Sequence, residues 1–242
     1  MNSADPKTSE SAVAPTFEAY KDEHPDARFT EWLRARAEPT WTDAVEHRFV
    51  QELGDGTLDE DAFRRYLVQD YAFVGTLTGL VGHTVGHAPT MQAKGQLADF
   101  LRTLTDDEND YFERSFDALS VPEPVYDDPQ REPVTAAFED LLTRAATEGG
   151  YAEALSVLLP AEWVYLSWGQ NVADAEPGPF YYQEWIALHA VPEFEAFVEW
   201  LRSELDKYGP KLSERRQALV ERHFRRVVEL EVGFFDLAFD ES

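Results

Sequence analysis

A chain of 242 residues with 47 acidic against 21 basic side chains, a formal net charge of −26 and no cysteine is long enough for one large domain around a single core. The missing thiols exclude disulfides, thiolate metal sites and cysteine nucleophiles together, and the lack of clustered Lys and Arg excludes a nucleic-acid partner, whose phosphate backbone demands them. No apolar run approaches the roughly 18 residues of a membrane span, and Met1 to Glu18 lacks the basic start and apolar stretch of a leader, so the chain reads as soluble and cytoplasmic with no membrane partner.

Residues 1–26, rich in Ser, Pro, Lys, Asp and Glu, read as a flexible N-terminal tail, and residues 27–242 as one helical domain. Hydrophobic periodicity predicts helices over 29–37, 42–53, 59–88, 91–119, 131–148, 150–171, 180–190, 192–207 and 213–238. Breaks fall at Gly54-Asp55-Gly56, Pro122 to Pro133, Gly149-Gly150, Glu176-Pro177-Gly178-Pro179 and Gly209-Pro210. Thr105-Asp106-Asp107-Glu108 has the spacing of a capping box and is expected to divide the 91–119 stretch. Strand signals are weak throughout, so the expected fold is all-α, a multi-helix bundle.

Three carboxylates occupy positions where the surrounding pattern calls for an apolar side chain. Asp70 falls in the stripe Phe63, Tyr66, Leu67, Phe73, Val74, Leu77; Glu162 among Leu158, Leu159, Tyr165, Leu166, Gly169; Glu231 among Val220, Phe224, Val227, Phe234, Ala238. Burying an ionised carboxylate is costly, so such positions carry either a structural network or chemistry. An inward Asp70 flanked by Tyr66 and Phe73 suits a flat, nitrogen-rich heterocycle, the acid meeting ring and amino nitrogens while aromatics cover the faces. An Asp satisfied by a Tyr hydroxyl or a buried Arg would leave the same stripe.

His83 and His87 have the i, i+4 spacing of helix-borne metal ligands. His24, His47, His189 and His223 offer no E-x-x-H pairing with an inward acid, so neither a metal nor another cofactor is expected. Trp163, Trp168, Trp185 and Trp200 read as core or subunit contacts.

The order FxxYLxQDYxF (Phe63–Phe73), LLPxxWxY (Leu158–Tyr165), YxEWI (Tyr182–Ile186) and LExxFFDxA (Leu230–Ala238) resembles that of the TenA/thiaminase II family, whose helical fold is shared with haem oxygenase. The resemblance runs from about residue 40 to the C-terminus. It implies hydrolysis of aminomethylpyrimidine, or its formylated form, to hydroxymethylpyrimidine in thiamin salvage, and a homo-oligomer, usually a tetramer. By the same resemblance Asp70 holds the pyrimidine nitrogens, Phe73, Tyr165 and Tyr182 line or stack on the ring, and Glu231 is the acid/base at the leaving amine. The family's cysteine nucleophile falls at Ala161, and Phe138 stands where the family often has a tyrosine. Glu162, one residue on, is the candidate replacement of a cysteine-less subgroup.

Asp70, Glu162 and Glu231 are thus the expected catalytic set, and Asp70, Phe73, Phe138, Tyr165 and Tyr182 the expected substrate contacts. Two other readings compete: a pyrimidine- or thiamin-binding protein without chemistry, and a metal-dependent oxidase on the same fold. Thiamin itself is the less suited substrate, because displacing its thiazolium profits most from a strong nucleophile that this chain lacks.

The acidity has its own implication. With 43% apolar and 13% aromatic residues the chain has the surface to fold. At molar salt the Debye length falls to about 3 Å and self-repulsion among surface acids is screened. A salt-rich cytoplasm, that of a halophile, fits this composition.

Overall fold

The computed structural model describes residues 13–240, and these form helices joined by short loops, with no strand among them. In chain order the helices are α1 (Phe17–Glu23), α2 (Phe29–Ala37), α3 (Thr40–Val45), α4 (Arg48–Gly54), α5 (Glu60–His87), α6 (Met91–Thr103), α7 (Asn109–Ala118), α8 (Glu123–Tyr126), α9 (Pro133–Glu148), α10 (Tyr151–Asn171), α11 (Phe180–Leu188), α12 (Pro192–Tyr208) and α13 (Glu214–Asp236). None is long and apolar enough to cross a membrane.

The centre of the bundle is α10. Every residue from Ala152 to Leu166 is buried, as expected of a helix that is apolar on all faces. It packs on α13, α12, α9 and α5, while α5 also packs on α9 and α6. Asp59 starts α5 by accepting from the amides of Asp61 at 2.9 Å and Ala62 at 3.2 Å, satisfying donors that a helix start leaves free. One continuous core links these elements, and Asp70, Glu162 and Glu231 enter it from α5, α10 and α13.

Three expectations need correction. Residues 17–23, placed in the N-terminal tail, are helical. Thr16 caps α1 by accepting from the Ala19 amide at 3.3 Å, Phe17 packs edge-on against Phe29 at 5.1 Å, and the Trp32 indole N–H donates to the Ala14 carbonyl at 3.0 Å. One buried aromatic and one backbone acceptor dock a stretch whose average composition is polar. Residues 1–12 of the expected tail lie outside the described residues.

The stretch 42–53 is two helices, because His47 leaves the helical path and caps α4, its Nδ1 accepting from the Phe49 amide at 3.1 Å. Between α6 and α7 the expected capping box does not form. The Thr105 hydroxyl instead donates back to the carbonyls of Leu101 and Arg102 at 3.1 and 3.2 Å, and Leu104–Glu108 is one π-helical turn. The long loop after α7 holds the short α8 and is pinned by buried Gln69, which donates to the Gln130 carbonyl at 3.0 Å and accepts from the Glu132 amide at 2.9 Å.

Candidate active site

A cavity of about 670 Å³ lies between α5, α6, the π-turn, α10, α11 and α12. Its inner wall carries Asp70, Phe73, Ala161, Glu162, Tyr165, Trp185 and His189; Glu108 lines it from the π-turn. Asp70 is 2% exposed, with Oδ2 buried and without a partner among the described residues. Glu162 is 8% exposed, and its carboxylate has neither a hydrogen bond nor an ion pair among the described residues. Glu231 is 1% exposed, its Oε1 has no partner among the described residues, and it does not line the cavity itself.

Burial governs the protonation of these acids. It pushes the Asp70 carboxyl up to about 8, with the nearby Tyr66 hydroxyl pulling the other way. Burial and then the Asp70 charge push Glu162 up to about 8. Glu231 is held well above the ordinary carboxylate range by burial, then by Asp70 and Glu162. An uncharged carboxyl both donates and accepts, so a protonated Asp70 can face an acceptor nitrogen and an adjacent amino donor at once.

Tyrosine and histidine supply the rest of the polar wall. Tyr66 and Tyr165 share a hydroxyl–hydroxyl bond of 2.7 Å, and both phenols stay neutral because burial and the neighbouring carboxylates raise them. His189 bonds through Nδ1 to the Trp185 carbonyl at 2.7 Å, so Nδ1 carries the proton and Nε2 is an acceptor. Burial lowers this imidazole to about 4, which keeps it uncharged at neutral pH. The Trp185 indole N–H, also buried, has no partner among the described residues.

The expected ring contacts separate. Phe73 and Tyr165 line the cavity, but Phe138 lies behind Phe73, ring centroids 4.6 Å apart. Tyr182 points away: its hydroxyl donates to the Leu58 carbonyl at 2.9 Å and its ring abuts Phe63. The wall that α11 presents comes from Trp185 and His189, which follow Tyr182 by three and seven residues. Ala161 and Glu162, though consecutive, both reach the cavity, so Glu162 occupies the same wall as the small residue before it. His83 and His87 are exposed on α5, and no group of three His, Asp or Glu side chains among the described residues is close enough to hold a metal.

His189 depends on a close approach of backbones. A Cβ on Gly169 of α10 would stand 2.6 Å from the His189 carbonyl oxygen and 2.9 Å from its Cβ. Gly169→Ala should therefore push the end of α11 outward and cost about 1–3 kcal/mol. Chemical denaturation checks the cost, and unchanged stability would show that α11 yields freely.

A sequence profile of the TENA/THI-4/PQQC family matches residues 34–241. An aminopyrimidine aminohydrolase of Halalkalibacterium halodurans is 27% identical over 216 residues, covering 88% of this chain and 96% of that protein. One of Bacillus subtilis with the same name is 25% identical over 212 residues, covering 88% of this chain and 90% of its own. Among solved structures, a protein of a Silicibacter species described as a TenA family transcription regulator superposes with a TM-score of 0.80 at 23% identity, covering 90% of this chain and all of that one. That likeness is one of fold.

Proposed function

This chain belongs to the TENA/THI-4/PQQC family, and from that membership and its cavity we propose that it hydrolyses the exocyclic C–N bond of an aminomethylpyrimidine in thiamin salvage. The observation that carries the reading is that two buried carboxyls, Asp70 and Glu162, neither in an ion pair among the described residues, share one aromatic wall. The curated relatives' names support the same substrate class.

Asp70 binds the ring. As a neutral carboxyl it donates to a pyrimidine nitrogen and accepts from the neighbouring amino group, while Phe73 and Tyr165 cover the faces. Glu162 and Glu231 divide the proton work: one takes a proton from water as its oxygen bonds the methylene carbon, and the other keeps a proton on the nitrogen that leaves with the electrons of the broken C–N bond. Buried acids that raise one another's pKa values are suited to hold opposite protonation states. No thiol takes part, since the chain has none.

A salt-rich cytoplasm belongs to this reading, supported by the charge of −26 and the screening it requires. So does a homo-oligomer, a tetramer by the family resemblance. Gly75, Gly79, Gly82 and Gly86 form an exposed stripe on α5 with open space where each Cβ would be, and glycines in a helix interior, each costing roughly 1 kcal/mol, suit a close-packed helix partner.

Incubation in concentrated KCl with 4-amino-5-aminomethyl-2-methylpyrimidine, its formylated form and thiamin, with products read by mass spectrometry, tests the reading. Hydroxymethylpyrimidine from the first or second is expected. Binding without product from any of them would make the chain a pyrimidine-binding protein instead.

A further inference from the structure

Where this chain buries a carboxylate for structure, it supplies an arginine. Glu153 receives Nε and Nη2 of Arg216, both at 2.8 Å, and bonding to Arg216 outweighs burial and lowers its pKa. Glu221 receives Arg36 at 3.1 Å. Asp70, Glu162 and Glu231 are buried as deeply, yet no Lys or Arg of the described residues pairs with them. Isolated charges of one sign in a dry site are unfavourable, and this asymmetry is specific to these three acids.

Glu108 extends it. Asp106 and Asp107 of the π-turn are exposed, whereas Glu108 is half-buried, and both Asp107 and Glu108 line the cavity. Its carboxylate makes no hydrogen bond or ion pair among the described residues, and burial, then Glu162 and Asp70, hold its pKa well above the ordinary range. A π-turn widens the helix by one residue and so changes which side chain faces inward, a distortion common at functional sites. Of the other charged groups at the cavity, Asp99, Asp107 and Glu193 are acidic, and Arg102 is exposed, with Asp106 at 3.9 Å. No cation of the described residues pairs with the inner acids, so a positive charge there would arrive with the ligand.

We propose that Glu108 is a specificity residue that, with Glu162, receives the ammonium of the substrate's aminomethyl arm and selects it over the neutral N-acylated arm. The inference rests on the pyrimidine reading above and adds which pyrimidine the cavity favours. Asp70 would hold the ring, and the arm would extend toward the π-turn. The ammonium also lowers the carboxyl pKa values when it binds, so its entry expels a proton, whereas a formylated arm brings no charge to expel one.

Glu108→Gln keeps the side chain's volume and removes its charge. In concentrated KCl, the variant should raise KM for the aminomethyl substrate at least tenfold more than KM for the formylated one. Calorimetry of aminomethylpyrimidine in two buffers of different protonation enthalpy should show proton release by the wild type and markedly less by the variant. Equal KM effects on both substrates, or equal proton release, would overturn the assignment while leaving hydrolysis intact. If the wild type hydrolyses neither, the functional reading fails, and calorimetry still decides the charge preference: aminomethylpyrimidine binding no tighter than neutral hydroxymethylpyrimidine overturns it.

Discussion

Glu162→Gln is expected to lower kcat on aminomethylpyrimidine by about 10²–10⁴ in concentrated KCl, the range of a positioned general acid or base. Glu231→Gln should fall in the same range, and the double variant should lose much less than the product of the two, because groups in one proton-transfer unit do not act independently. The pH profile tells their roles apart. A base must be deprotonated, so activity rises with pH through its pKa; an acid must be protonated, so activity falls through its own. Whichever substitution flattens the rising limb of the residual activity marks the base. Since burial lifts Glu162 to about 8 and Glu231 above the ordinary range, the limbs of kcat/KM should lie well above the pH 4–5 of exposed carboxylates, as macroscopic values of the coupled set. Near-wild-type turnover by Glu162→Gln would remove it from the chemistry and leave it a ligand-positioning residue.

The helices were legible because their apolar stripes are long. The α2 bounds follow directly from periodicity, and the inward direction of Asp70, Glu162 and Glu231 follows from the stripes they interrupt. Glu108 was not legible. Its spacing from Thr105 reads as a capping box, and the π-turn that forms instead sets its half-buried carboxylate on the cavity wall. Tyr182 misled for a related reason: α11 is a short helix whose aromatics are buried on more than one side, so a motif position alone did not say which of them meets the cavity. His189 was visible as a polar residue two turns after Tyr182, but its burial depends on the approach of Gly169, a contact between successive helices that no side-chain pattern announces. Helix 17–23 escaped because one phenylalanine, not a periodic stripe, holds it down.

Asp70→Asn should make the protein more stable at alkaline pH, while its amide keeps one donor and one acceptor for the pyrimidine. The folded state holds the Asp70 proton up to a pKa of about 8, whereas an unfolded Asp releases it near 4. Between those values the unfolded chain binds fewer protons, so stability falls as pH rises, by about 1.4 kcal/mol per pH unit for a single such group. Below pH 4 the penalty is absent; above pH 8 it is complete. Asparagine has no charge to desolvate, although its buried amide has a smaller polar cost of its own. The net gain at pH 9 is expected on the order of 3 kcal/mol, or roughly 6–12 °C in Tm for a chain of this length, with the variant melting below wild type near pH 4, where only the cost of its buried amide remains. Thermal melts across pH 4–9 measure this, and a variant less stable than wild type at pH 9 would mean that the fold already satisfies the Asp70 charge. With Asp70 in the ring-binding role proposed above, the melting difference should shrink when a saturating pyrimidine is added to the wild type alone.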